Sequence, residues 1–213
     1  MTDFIFSETE RIYRKYRTRD PYELLDCIGA VTRITYEYGR KGLKGYSTVM
    51  NRIKYAVING RLHPAEQKVV AGHEASHLIL HIDEILSSPI RALRDFNMFN
   101  NTGRIEYQAN LFLADFMLDD GEVMEYLSDE YMDFFSAARA LYVPPPLFAF
   151  KLYSMTRRGF EVRTPIDLDS RFLGKGEQNT PPKRRFFGQY FFEKRLAFSP
   201  VMRKLSLTGE TPE

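Results

Sequence analysis

The run His73-Glu74-Ala75-Ser76-His77 sets two imidazoles and a carboxylate among the apolar neighbours Val69, Val70, Leu78 and Leu80. Val70, His73, His77 and Leu80 recur at helical spacing, which predicts one face of a helix running from Pro64 to about Ile82. A helix so flanked belongs in an interior. The competing reading is a surface helix that happens to carry two histidines. Residues four apart on a helix differ by about 40° in direction and about 6 Å along the axis. Two such imidazoles can converge on one ion at about 2.0–2.1 Å from each nitrogen. Glu74 points at a neighbouring angle, from which it reaches a water beside the ion without ligating. That pattern generates a water nucleophile at neutral pH.

A hydrolytic metal site of this type uses three protein ligands and one open position. His81 lies eight residues from His73, about 12 Å along the axis, and can close on the same ion only if the helix ends at once. Its expected place is the helix C-terminus, where the macrodipole favours a cation. Glu106 is the better candidate. On a helix spanning about Arg104 to Leu118, it shares a face with Ala109, Asn110, Leu113 and Met117. A carboxylate on such a stripe is costly to bury unless it is paired or metal-bound. Asn110, one turn on, could hydrogen-bond a histidine ring nitrogen or the carboxylate. Periodicity leaves a second reading equally open: an exposed glutamate in a first helical turn, stabilised by the helix dipole.

The 213 residues, 44% hydrophobic, suffice for one globular domain with its own core. A net charge of +2 argues against a protein coated by nucleic acid, although residues 151–213 are basic and residues 1–150 acidic. One cysteine, Cys27, excludes an internal disulfide and suits a reducing compartment. The first residues lack a basic stretch followed by an apolar run, and no segment is apolar enough to span a bilayer. These features predict a cytoplasmic protein with no membrane partner.

Along the chain, Ser7-Glu8-Thr9-Glu10 reads as a capping box opening a helix through about Arg17. Asp20-Pro21-Tyr22-Glu23 reads as another. A strand is expected between Arg33 and Tyr38, and a hairpin from Tyr46–Met50 and Ile53–Ile58 about Asn51-Arg52. Residues 83–103 look irregular, and Asp119-Asp120-Gly121 breaks the following helix. Helical patterns resume to Val143-Pro144, and a last helix spans Leu147–Arg158. The expected division is a domain over 1–160 and a basic, aromatic-rich extension over 161–213, which includes Lys183-Arg184-Arg185-Phe186-Phe187.

The run Lys68–His81 resembles the active-site helix of the ImmA/IrrE metallopeptidase family, and Glu106-Tyr107-Gln108-Ala109-Asn110-Leu111-Phe112-Leu113-Ala114 resembles that family's E-x-x-A-N-x-F-x-A helix. The likeness covers about residues 20–160. It implies an α+β, zincin-like domain: a short β-sheet packed on the HExxH helix, followed by a helical C-terminal half. It implies His73, His77 and Glu106 as ligands of a zinc ion, with manganese as the other candidate metal, and Glu74 as the catalytic acid and base. Departures such as Ala75-Ser76, Met117-Leu118-Asp119 and Val143-Pro144 touch no ligand.

The resemblance implies a zinc endopeptidase that cleaves a separate helix-turn-helix repressor and so derepresses genes, without contacting nucleic acid itself. A different class of protein, a non-catalytic binding module retaining the fold, is the alternative; the presence of Glu74 speaks against it. Tyr46, Tyr55, Tyr107 and His81 are equivalent candidates for stabilising an oxyanion. An extended substrate is expected to add to the edge of the Tyr46–Met50 strand.

Overall fold

The computed structural model describes residues 2–90, 92–95, 98–99, 103–129 and 131–162. Two helices open the chain, α1 (Thr2–Tyr16) and α2 (Pro21–Cys27), followed by the strands β1 (Ala30–Thr35), β2 (Gly45–Met50) and β3 (Ile53–Asn59). Next come α3 (Pro64–Leu80), α4 (Ile82–Ser87) and the strand β4 (Ala92–Asp95). The C-terminal half is helical: α5 (Arg104–Met117), α6 (Asp120–Ser128), α7 (Phe134–Ala140) and α8 (Pro145–Arg157). The expected α+β architecture is present. By contact density the chain divides into Met1–Gly176 and Glu177–Glu213, and all described residues belong to the first unit. The extension expected over 161–213, apart from Glu161 and Val162, lies outside the described residues.

The sheet has the order β1-β3-β2-β4. β2 and β3 form the expected hairpin, with Tyr46 opposite Val57 and Ser47 opposite Ala56. Its turn residues Asn51 and Arg52 both take positive φ, 50° and 66°, as a two-residue turn matched to strand twist requires. β1 runs parallel to β3, with Thr32 beside Ala56. Side chains alternate across a pleat, so Gly45, Ser47, Val49, Ala56 and Ile58 face inward and are all buried. Tyr46, Tyr55 and Arg33 occupy the opposite face, where Arg33 lies over the Tyr55 ring.

Asp20 caps α2 as expected, its side chain accepting from Tyr22 N at 2.8 Å and Glu23 N at 3.3 Å. Ser7 caps nothing. The helix already runs from Thr2 because its apolar stripe, with Ile5 and Ile12 buried, extends upstream of the local cap signal. The described residues between 83 and 95 also include more regular structure than expected. His81 ends α3 and leads straight into α4, and β4 is too short for alternation to mark it. Because β4 pairs with β2 over Gly45–Thr48, most of the Tyr46–Met50 strand is not a free edge; on that side of the sheet the edge is β4. α5 ends at Met117 with Leu118 as its cap, and Asp119 begins the next helix, its side chain accepting from Gly121 N and Glu122 N.

α5 is the central helix, with Leu111, Phe112, Leu113, Ala114 and Phe116 all fully buried between α3 on one side and α1 and α8 on the other. Its end is closed by Arg19, which donates to Asp115 O and Phe116 O at 3.0 Å each. Around the same end, Lys151 on α8 is buried with Asp115 at 3.1 Å and Asp120 at 2.6 Å. Ser154 donates to Asp115 at 2.6 Å, and Arg158 pairs with Asp120.

Candidate metal centre

α3 starts at Pro64, whose fixed φ suits a first helical position, behind the His63 cap. It crosses α5 and α2 at Gly72. A Cβ there would overlap Leu113 Cδ1 and stand 3.2 Å from the Pro21 ring, so glycine lets the helices close together. The next residue is His73. Ser76 needs no outside partner in this interior, because its hydroxyl donates to Gly72 O at 2.7 Å.

The close crossing brings Glu106, in the first turn of α5, against both histidines of α3. His73 Nε2 lies 3.0 Å from Glu106 Oε2 and 3.0 Å from His77 Nε2. His77 Nε2 lies 3.5 Å from Glu106 Oε1. Tetrahedral donors at about 2.0–2.1 Å from a zinc ion stand about 3.3 Å from one another, so these three side chains fit one ion. They form a buried group able to hold a metal.

The far nitrogen of each ring is also engaged. His73 Nδ1 lies 3.0 Å from Asn110 Oδ1, and Asn110 Nδ2 donates to Met98 O at 2.6 Å. An amide nitrogen only donates, so the Met98 carbonyl fixes which end of Asn110 meets the ring. Asn110 Oδ1 therefore accepts from Nδ1–H and leaves a lone pair on His73 Nε2. His77 Nδ1 lies 3.0 Å from His81 Nδ1, and His81 Nε2 lies 3.1 Å from Gln108 Oε1.

Protonation suits a cation. Burial, with the neighbouring His73 adding to it, pushes His77 down to about 4. Burial alone would raise Glu106, but the close approach of His73 and His77 outweighs that and holds it well below the usual carboxylate range. Near neutral pH the His77 ring is neutral and the Glu106 carboxylate ionised, the forms in which both ligate. Glu74 is fully buried beside the first residue of β2. A Cβ on Gly45 would stand 2.8 Å from Glu74 Oε1, 2.6 Å from Val70 Cγ1 and 3.0 Å from Val57 O.

The exposed reading of Glu106 fails, since only 8% of the residue is accessible. His81 differs from expectation. It caps α3 but is 2% exposed, and burial lowers its pKa, so it sits there as a neutral ring rather than a cation. It approaches His77 from the side away from Glu106, and both its nitrogens have partners. Gln108 was not marked by sequence at all; two residues along a helix turn it about 200° from Glu106, off the stripe that periodicity picks out. Tyr46 and Tyr55 lie on the sheet face opposite Gly45 and Glu74. Tyr107 packs on Phe150 and is hydrogen-bonded to Tyr153.

Residues 32–153 match the family model of the IrrE N-terminal-like domain, Peptidase_M78. The chain belongs to this family. The Peptidase_M78 match contains His73, Glu74, His77, Glu106 and Asn110, and the family is one of metallopeptidases. The chain is also similar to "uncharacterized immunity region protein 2" of Bacillus phage phi105, at 30% identity over 127 residues, 60% of this chain and 76% of that protein. No solved structure matches the chain. Among the described residues, no helix is long and apolar enough to cross a membrane.

Proposed function

We propose that this Peptidase_M78 protein is a zinc-dependent endopeptidase, with manganese as the other candidate metal, that acts in the cytoplasm on a helix-turn-helix transcriptional repressor and relieves repression by cleaving it. The observation that carries this reading is the convergence of His73 Nε2, His77 Nε2 and a Glu106 oxygen at 3.0–3.5 Å, with Glu74 buried on the same helix. The similarity to a phage immunity-region protein supports a repressor as the target.

His73 Nε2, His77 Nε2 and the Glu106 carboxylate would hold the ion, which when bound polarises the scissile carbonyl and makes water nucleophilic at neutral pH. Asn110 holds the His73 ring so that Nε2 faces Glu106. Glu74 takes the proton of the attacking water on its carboxylate and delivers it to the leaving amine nitrogen. A substrate strand adds to the edge of β4, where backbone groups align the peptide independently of its side chains.

The test is incubation of the purified protein with candidate repressors, with and without chelator, in wild-type and Glu74→Gln forms, read by mass spectrometry. Discrete fragments that need both the metal and Glu74 are expected. Derepression by Glu74→Gln at the wild-type level would overturn hydrolysis in favour of a binding module.

A further inference from the structure

His77 reaches toward Glu106 through one ring nitrogen and toward His81 through the other. Beyond His81 stands Gln108, so His77, His81 and Gln108 form a chain of hydrogen bonds running from the candidate metal centre to a half-buried amide on α5. His81 is in place because α3 ends there; its backbone N–H still bonds His77 O, and α4 begins at Ile82.

The chain can run in two directions. In one, His81 donates from Nδ1, His77 accepts on Nδ1, and the His77 proton sits on Nε2, which removes its lone pair. In the other, His77 Nδ1–H donates to His81 Nδ1, and His81 Nε2–H donates to Gln108 Oε1. Only the second leaves His77 Nε2 free to ligate, and the 3.1 Å contact of His81 Nε2 with the amide oxygen of Gln108 is the arrangement it requires. A glutamine oxygen only accepts, so its orientation decides the tautomer of two successive rings.

We propose that Gln108 and His81 are positioning residues for His77, setting which of its nitrogens is offered to the metal. This rests on the metal-site reading above. The two metal-facing histidines are then oriented by different means: His73 directly by an amide oxygen, His77 by an amide oxygen acting through a second imidazole. One consequence is that His81 is required without touching the ion.

The test separates this from the metal reading itself. In the metal-free protein, long-range ¹H–¹⁵N spectra should show His77 protonated on Nδ1 in the wild type and a mixture of tautomers in Gln108→Leu. Titration with zinc alone against a chromophoric chelator should show Gln108→Leu binding about 10–100-fold more weakly, the range typical of lost outer partners. Gln108→Glu, which keeps an acceptor at the same place, should restore both the tautomer and the affinity. Gln108 is half-buried at the domain surface, so the substitutions leave the core intact. A wild-type protein that binds zinc alongside a Gln108→Leu variant of equal affinity and unchanged tautomer would overturn the relay while leaving the site standing. A wild-type protein that binds no zinc would overturn both.

Discussion

Gly72 on α3 and Leu113 on α5 meet with no room between them for another carbon atom. Leu113 is fully buried, so its side chain has nowhere to swing. Gly72→Val should destabilise the fold by about 1–3 kcal/mol, the usual cost of overpacking. It should also weaken zinc binding, because the crossing that it widens is the one that sets His73 against Glu106. Calorimetry and chelator competition on the same variant measure the two effects.

Gly45 should separate metal binding from chemistry. Its missing side chain leaves space beside Glu74 Oε1, whereas the three ligand atoms lie on α3 and α5. Gly45→Ala should retain zinc affinity near the wild-type value while cleavage slows by about 100-fold, as displacement of a catalytic group by about 1 Å would cause. Equal turnover in the variant and wild type would show that Glu74 tolerates the shift.

Lys151 should be among the costliest side chains to lose far from the centre. It is 1% exposed and faces Asp115, which is itself fully buried. Lys151→Met leaves that carboxylate short of a cation, at a cost of about 3–5 kcal/mol. Lys151→Met combined with Asp115→Leu should recover part of that loss in urea unfolding, since the pair is then removed together.

Acid should weaken the same junction through Asp120. Burial acts to raise its pKa, but hydrogen bonds from Arg158 and Lys151 more than offset this and lower it to about 2 from an ordinary 3.8. A depressed folded-state value means that the contribution is complete above pH 3.8 and is lost as pH falls through about 2. The melting-temperature gap between wild type and Asp120→Asn should therefore be steady from pH 7 to 5. It should narrow by about 2–4 °C at pH 2, the shift that about 1 kcal/mol makes in a protein of this size. A gap that holds at pH 2 would contradict the assignment.

The elements that carry the centre were legible because their signals are local. His73 and His77 stand four apart among apolar neighbours, and the β2–β3 turn declares itself through two strand-like runs, whereas Glu106, which periodicity left open, was singled out by the family resemblance. The misses share a cause in tertiary contact. Ser7 looks like a cap, yet burial of Ile5 draws the preceding turn into the helix. β4 has four residues and exists through its pairing with β2. Lys151 reads as a surface lysine until α8 lays it against Asp115. The partner of His81 is on a helix that sequence spacing cannot connect to it.

The His77 and Glu106 side chains meet across the intervening segment 78–105, which includes all of α4 and β4. An ion seated between them acts as a clasp on a closed loop. A permanent link of that span would remove about 3–4 kcal/mol of conformational freedom from the unfolded chain. Were the proposed ion lost, that constraint would go with it, so metal starvation would cost the fold stability together with the proposed chemistry.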